Sequence, residues 1–117
     1  MKYLLLCCHD EKKWDSMSKN ECDAVMEETM GYIEALRKSG HLLAVEQLEP
    51  IQTAMSVRVR GGKLAVTDGP FAETKEQLGG FFLINARDLN EAIQWAAKIP
   101  GARWGSIEVR PIMEFPA

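Results

Sequence analysis

The chain predicts an α+β fold. Three observations carry that prediction. Two segments repeat apolar residues at helical spacing, and each opens with a capping sequence. Several short runs are apolar throughout or alternate with a period of two, as strands do. The elements follow one another as β-α-β, a hairpin, and β-α-β. At 117 residues the chain fits one domain, 1–117, around one core.

Residues 2–8 read as a strand that is apolar on both faces, and residues 10–17 as polar and irregular. Ser18-Lys19-Asn20-Glu21 is a capping box, so a helix should run from there to about Ser39. Its apolar stripe is Cys22, Val25, Met26, Thr29, Ile33 and Leu36, and Gly40 is its stop. Residues 41–48 form a second strand, ended by Pro50. In 53–60, Thr53, Met55, Val57 and Val59 face one way, while Ala54, Ser56, Arg58 and Arg60 face the other. Gly61-Gly62 tolerates positive φ twice, which suits a two-residue hairpin turn. That turn pairs Val59 with Leu64 and Val57 with Val66, on a return strand over 63–67.

Thr74-Lys75-Glu76-Gln77 reads as a second capping box opening a short helical turn, stopped by Gly79-Gly80. Residues 80–85 form a buried aromatic strand. Asp88 caps a helix over 89–98, with Leu89, Ala92, Ile93, Ala96 and Ile99 inward, and Pro100 ends it. Residues 106–112 form the last strand. This is the ferredoxin-like split-βαβ pattern with an added β-hairpin. Two helices cover only one face of such a sheet. Burying the other face calls for pairing two sheets into a dimeric α/β barrel, so a homodimer is expected.

Composition excludes several classes. The net charge is -3 and no stripe of Lys and Arg exists, so direct nucleic-acid binding is not expected. No apolar run approaches the ~18 residues of a membrane span. The apolar start, followed directly by His9-Asp10-Glu11, suits a first strand better than a signal peptide. Cys7, Cys8 and Cys22 are too few and wrongly spaced for a disulfide framework. They read as small apolar residues in a reducing, cytoplasmic setting. No phosphate loop, nucleophile elbow or metal-ligand spacing is present, so neither cofactor nor metal is expected.

Residues 66–84 read Val-Thr-Asp-Gly-Pro-Phe-Ala-Glu-Thr-Lys-Glu-Gln-Leu-Gly-Gly-Phe-Phe-Leu-Ile. Around them stand Lys2-Tyr3-Leu4-Leu5, Ser56-Val57-Arg58-Val59-Arg60, Glu91-Ala92-Ile93-Gln94-Trp95-Ala96 and Ile107-Glu108-Val109-Arg110-Pro111-Ile112. In these stretches, in this order, the chain resembles the DGPF, or YCII-related, family. The resemblance implies a dimeric α/β barrel and enzymatic chemistry in the wider family. One relative is a dehydrochlorinase of a chlorinated hydroxyhydroquinone, with a His–Asp pair proposed as its active site. The resemblance also implies a link to transcription, because many family genes lie beside those of extracytoplasmic-function sigma factors. A sigma factor is therefore a possible partner. The first long helix here carries no His, and Asn85 stands where close relatives often carry Glu.

Several residues are candidates for chemistry. Asp68, at a strand end, suits a general base or a ligand-orienting acceptor. It also suits an Asx-type turn before Gly69-Pro70 with Phe71 plugging the core, which is the favoured role. Arg58, Arg60, Glu108 and Arg110 lie on the charged faces of their strands. They form an anion pocket if both strands face a barrel interior. As pairs they satisfy one another, which is slightly favoured. His9 beside Asp10 suits a base oriented by a carboxylate, but His9 and His41 read more economically as exposed strand-end residues. Glu73 either reaches the pocket or a partner subunit, or more simply charges a short helix. Trp14, Trp95 and Trp104 read as core or interface residues, with Trp14 a candidate lid. The functions expected are, first, binding or converting a small anionic or aromatic molecule, and second, a regulatory protein-interaction module.

Overall fold

The computed structural model describes residues 1–116; Ala117, the last position of the expected domain, lies outside them. The elements are β1 (Lys2–His9), α1 (Glu11–Asp15), α2 (Lys19–Lys38), β2 (Leu42–Gln47), β3 (Met55–Arg60), β4 (Lys63–Asp68), β5 (Gln77–Asn85), α3 (Leu89–Ala97) and β6 (Ser106–Pro111). Short 3-10 turns lie at Ile51–Thr53 and Pro100–Arg103. The architecture is mixed α+β. A four-stranded sheet has the order β2-β5-β1-β6, and β3 and β4 form a separate two-stranded sheet. All neighbouring strands are antiparallel. The four-stranded sheet is open, and no closed barrel forms among the described residues.

Local chemistry explains the helices. At the start of α2, Ser18 Oγ accepts from the Glu21 amide at 3.1 Å and Glu21 Oε1 accepts from the Ser18 amide at 3.2 Å, so the capping box is complete. Asp88 caps α3 by accepting from the Glu91 amide at 2.9 Å. The hairpin forms in the expected register, with Val59 opposite Leu64 and Val57 opposite Val66. Its turn places Gly61 at φ 58 and Gly62 at φ 76, where a side chain would be strained.

One face of the main sheet makes the core. Tyr3 and Leu5 of β1 and Phe82 and Ile84 of β5 pack against Tyr32 and Leu36 of α2 and Ala92 and Ala96 of α3. Leu5 stands opposite both Phe82 and Val109, so these three share the helix-covered face. The opposite face carries Leu4 across from Leu83 and Arg110, and Leu6 across from Phe81 and Glu108. Its four apolar side chains are only partly buried.

Several expectations need correction. Residues 10–17 are not wholly irregular: Asp10 caps α1 by accepting from the Lys12 amide at 3.0 Å. The buried positions of α2 are Tyr32 and Leu36, while Met26 is 40% exposed, because α2 meets the core through its C-terminal half. Leu89 and Ile93 of α3 are likewise exposed, whereas Ala92, Ala96 and Ile99 are buried. No helical turn forms at 74–78. Gln77 and Leu78 instead pair with His9 and Cys8, and the ladder satisfies their backbone. Gly79 and Gly80 do not stop a helix but lie inside β5. Phe71 does not plug the core: it is 82% exposed.

Candidate functional site

An open cleft of about 500 Å³ lies beside the hairpin, lined by Met55, Val57, Arg58, Pro70 and Phe71, among others. The strand alternation of β3 supplies its character. Met55 and Val57 carry the apolar face, and Ser56 and Arg58 the polar one. Backbone bonds shape the cleft's wall. The Gly69 amide donates to the Ala54 carbonyl at 2.7 Å, and Ser56 Oγ donates to the Gly69 carbonyl at 2.7 Å. Gly69 can serve there because its φ of 92 suits only glycine. Asp68 sits at the end of β4, opposite Met55, and is exposed. Its carboxylate makes no ion pair among the described residues. Arg60 is exposed near the hairpin tip, its guanidinium donating to the adjacent Val59 carbonyl at 3.1 Å. Glu73 lies exposed in the 70–76 loop.

The other two charged candidates are in the other sheet. Glu108 and Arg110 are neighbours on the same face of β6 and pair at 3.3 Å, both largely exposed. Within one chain they therefore border the open face of the main sheet, while Arg58 and Arg60 belong to the hairpin.

His9 ends β1 in an aromatic cluster. Its ring meets Trp104 edge-on at 5.3 Å, and Trp14 stacks on Trp104 at 5.8 Å. Trp14 thus packs on an aromatic neighbour. Gly79 makes room for the imidazole, since a Cβ there would lie 2.5 Å from His9 Cε1. The Trp104 Nε1–H is buried without a partner among the described residues. Asp10 Oδ1 accepts from the Lys12 amide and so caps α1.

His41 is the side chain that sequence reasoning undervalued. It is no free polar residue at a strand end. Its Nε2 lies 3.1 Å from Glu91 Oε1, its Nδ1 lies 2.7 Å from Ser39 Oγ, and its ring packs 5.2 Å from Trp95. Ser39, His41 and Glu91 line up as hydroxyl, imidazole and carboxylate. The Ser39 hydroxyl, however, donates to the Leu36 carbonyl at 2.8 Å, so its oxygen faces His41 as an acceptor rather than as an activated nucleophile. Glu91 also accepts from the Arg87 amide at 2.9 Å and pairs with the Arg87 guanidinium at 3.2 Å. These bonds hold its carboxyl below the usual range, led by the Arg87 amide, with the Arg87 charge and His41 adding to it. The group ties the start of β2 to the start of α3. The Glu three residues past the Asp88 cap was legible as a capping signal, but its second partner, His41, comes from 50 residues away.

The Cys7 and Cys8 thiols are poor nucleophiles. Burial, followed by the neighbouring Cys8, pushes Cys7 up to about 12. Burial also raises Cys8, with Glu108 and Glu76 adding to it. Among the described residues no group of three or more His, Cys, Asp and Glu side chains could hold a metal ion. Nor is any helix there long and apolar enough to cross a membrane.

The chain is 40% identical over 114 residues to an uncharacterised protein of Rhizobium meliloti (strain 1021), covering 96% of this chain and 92% of that protein. The model of the YCII-related domain matches residues 1–116, taking in both sheets, the hairpin arm and its cleft. On a match of that extent, the chain belongs to the YCII-related domain family.

Proposed function

We propose that this protein binds a small anionic molecule with an apolar or aromatic body, as a homodimer. One observation carries the reading. In the hairpin cleft a single exposed guanidinium, Arg58, stands beside Met55, Val57 and Phe71. A planar fork next to an apolar wall suits a carboxylate on an aromatic or aliphatic frame. Asp68, near the same cleft, would accept a hydrogen bond from a hydroxyl on that frame. Binding is a better reading than catalysis, because His9 and Asp10 each serve packing or capping, and Ser39 is not activated.

The strand order β2-β5-β1-β6, with α2 and α3 packed on one face, supports the ferredoxin-like split-βαβ reading, the hairpin being the added piece. Leu4, Leu6, Phe81 and Leu83 on the other face support pairing two sheets, as a dimeric α/β barrel does. Such pairing would bring the Glu108 and Arg110 edges of two copies near the shared interior.

Titration calorimetry against a panel of aromatic and short aliphatic carboxylates tests the ligand class. Saturable binding is expected. Arg58→Ala should weaken it about 10- to 100-fold, since a hydrogen bond to a charged group contributes about 1.5–3 kcal/mol. Asp68→Asn should selectively weaken hydroxylated members. No binding by any member, or binding indifferent to Arg58→Ala, would defeat the reading.

A further inference from the structure

The arm formed by β3 and β4 has a surface that a single copy of the chain leaves uncovered. Met55, Val57, Val59, Leu64 and Val66 are 57%, 63%, 62%, 69% and 52% exposed. They lie on one face of the hairpin, because Val57 pairs with Val66 and Val59 with Leu64. A two-stranded hairpin alone is marginal in water, and this one turns its apolar face outward. The molecule measures 48 × 47 × 18 Å, so the arm extends within a thin slab and does not fold back over the sheet. The opposite face carries Arg58, Arg60 and Lys63, and the arm's one carboxylate, Asp68, lies at its base, opposite Met55. The chain as a whole carries -3, so everything outside the arm is acidic on balance. Another copy of the same chain is a partner of complementary net charge that is present at equal concentration.

We propose that the β3–β4 arm is an intersubunit clasp: its apolar face packs on the second copy, and Arg60 and Lys63 at its tip meet carboxylates of that copy. The inference rests on the homodimer reading and deepens it. It assigns the arm, and not only the open sheet face, to the interface. It also places the Arg58 cleft at the subunit boundary, so that the partner would wall in a ligand that one copy holds only on an open side.

Sedimentation velocity across a concentration series tests it on the full chain. Three variants are compared with wild type: Leu64→Asp on the arm, the charge reversal Arg60→Glu with Lys63→Glu, and Leu83→Asp on the sheet face. Wild type is expected to dimerise. Leu64→Asp is expected to raise the dimer Kd at least tenfold while leaving the circular dichroism of the monomer native. The charge reversal should weaken the dimer at low salt, and its effect should shrink in 1 M salt as screening removes the attraction (~3 Å Debye length). If wild type stays monomeric throughout, both the clasp and the homodimer fall. If Leu83→Asp dissociates the dimer while the arm variants leave it unchanged, the clasp is overturned and the sheet-face dimer stands. If the arm variants dissociate it and Leu83→Asp does not, the clasp stands and the sheet-face pairing falls. Should Leu64→Asp unfold, hydrogen exchange on wild type decides: amides 57–66 should slow on dimerisation, and unchanged exchange there overturns the clasp. Binding of wild type to anionic phosphatidylserine vesicles, lost on charge reversal without change in dimer Kd, would assign the arm to lipid and overturn it as well.

Discussion

In Gly80→Ala the added methyl would lie 2.7 Å from the Glu46 carbonyl oxygen, a distance real contacts do not reach. Strand β2 would have to move away from β5. The expected cost is about 1–3 kcal/mol of stability, read from urea denaturation. Gly79→Ala should cost less if the His9 ring can yield, yet that ring also packs edge-on against Trp104. The double variant His9→Ala with Gly79→Ala should therefore recover part of the loss of Gly79→Ala, a coupling that a thermodynamic cycle measures. The thiols make a separate residue-scale case. With Cys7 raised to about 12, alkylation of the native protein at pH 8 should label Cys22 and spare Cys7, as peptide mapping would show. These glycines read as breakers in the sequence because Gly-Gly signals either a turn or a close approach. Only the strand beside them tells which.

Helix caps and one ion pair between elements, Glu28 with Arg103, are the element-scale lesson. Glu91, Asp88 and Glu28 all have carboxyls held below their ordinary range. The leading causes are the Arg87 amide, the Glu91 amide and the Arg103 guanidinium respectively. A lowered folded-state value means that the charged form is stabilised by folding. That stabilisation is fully present above the ordinary carboxylate value, about 4, and is lost as pH falls through the lower folded value. The melting temperature should thus fall as pH drops from 6 to 3, and Glu91→Gln should flatten part of that slope. Ser18→Ala removes half of the complete capping box on α2 and should cost about 0.5–2 kcal/mol. Both caps were legible because their chemistry is local, spanning three residues. The missing turn at 74–78 shows the limit of the same rule. Thr74 to Gln77 has capping spelling, yet pairing with β1 gives residues 77 and 78 backbone partners along the ladder.

For the molecule as a whole, the Cα radius of gyration is 16.3 Å, where a compact chain of this length would have roughly 13 Å. The excess goes with the extended slab and its projecting arm. Stability should be distributed accordingly. In dilute, monomeric protein, amides of β3 and β4 should exchange faster than those of β1 and β5, which build the core with α2 and α3. Equal protection of arm and core in the monomer would contradict this. Leu5→Ala, at a fully buried position, should cost about 2–5 kcal/mol.

The sequence by itself determined what local rules decide. These are the six strands with the two longer helices in order, the caps of α2 and α3, the Gly61-Gly62 hairpin with its register, and the family, through the stretch around Asp68. Each rests on residues within a few positions of one another. Tertiary structure decided the rest. It set which strand edges meet, which side of α2 is buried, that Phe71 points outward, and that His41 finds Glu91 rather than water. It also separated Arg58 and Arg60 from Glu108 and Arg110, which alternation alone had placed on equivalent charged faces. Alternation states that a strand has two faces. Which of them is covered depends on what packs there, and that is settled by side chains far apart in the chain.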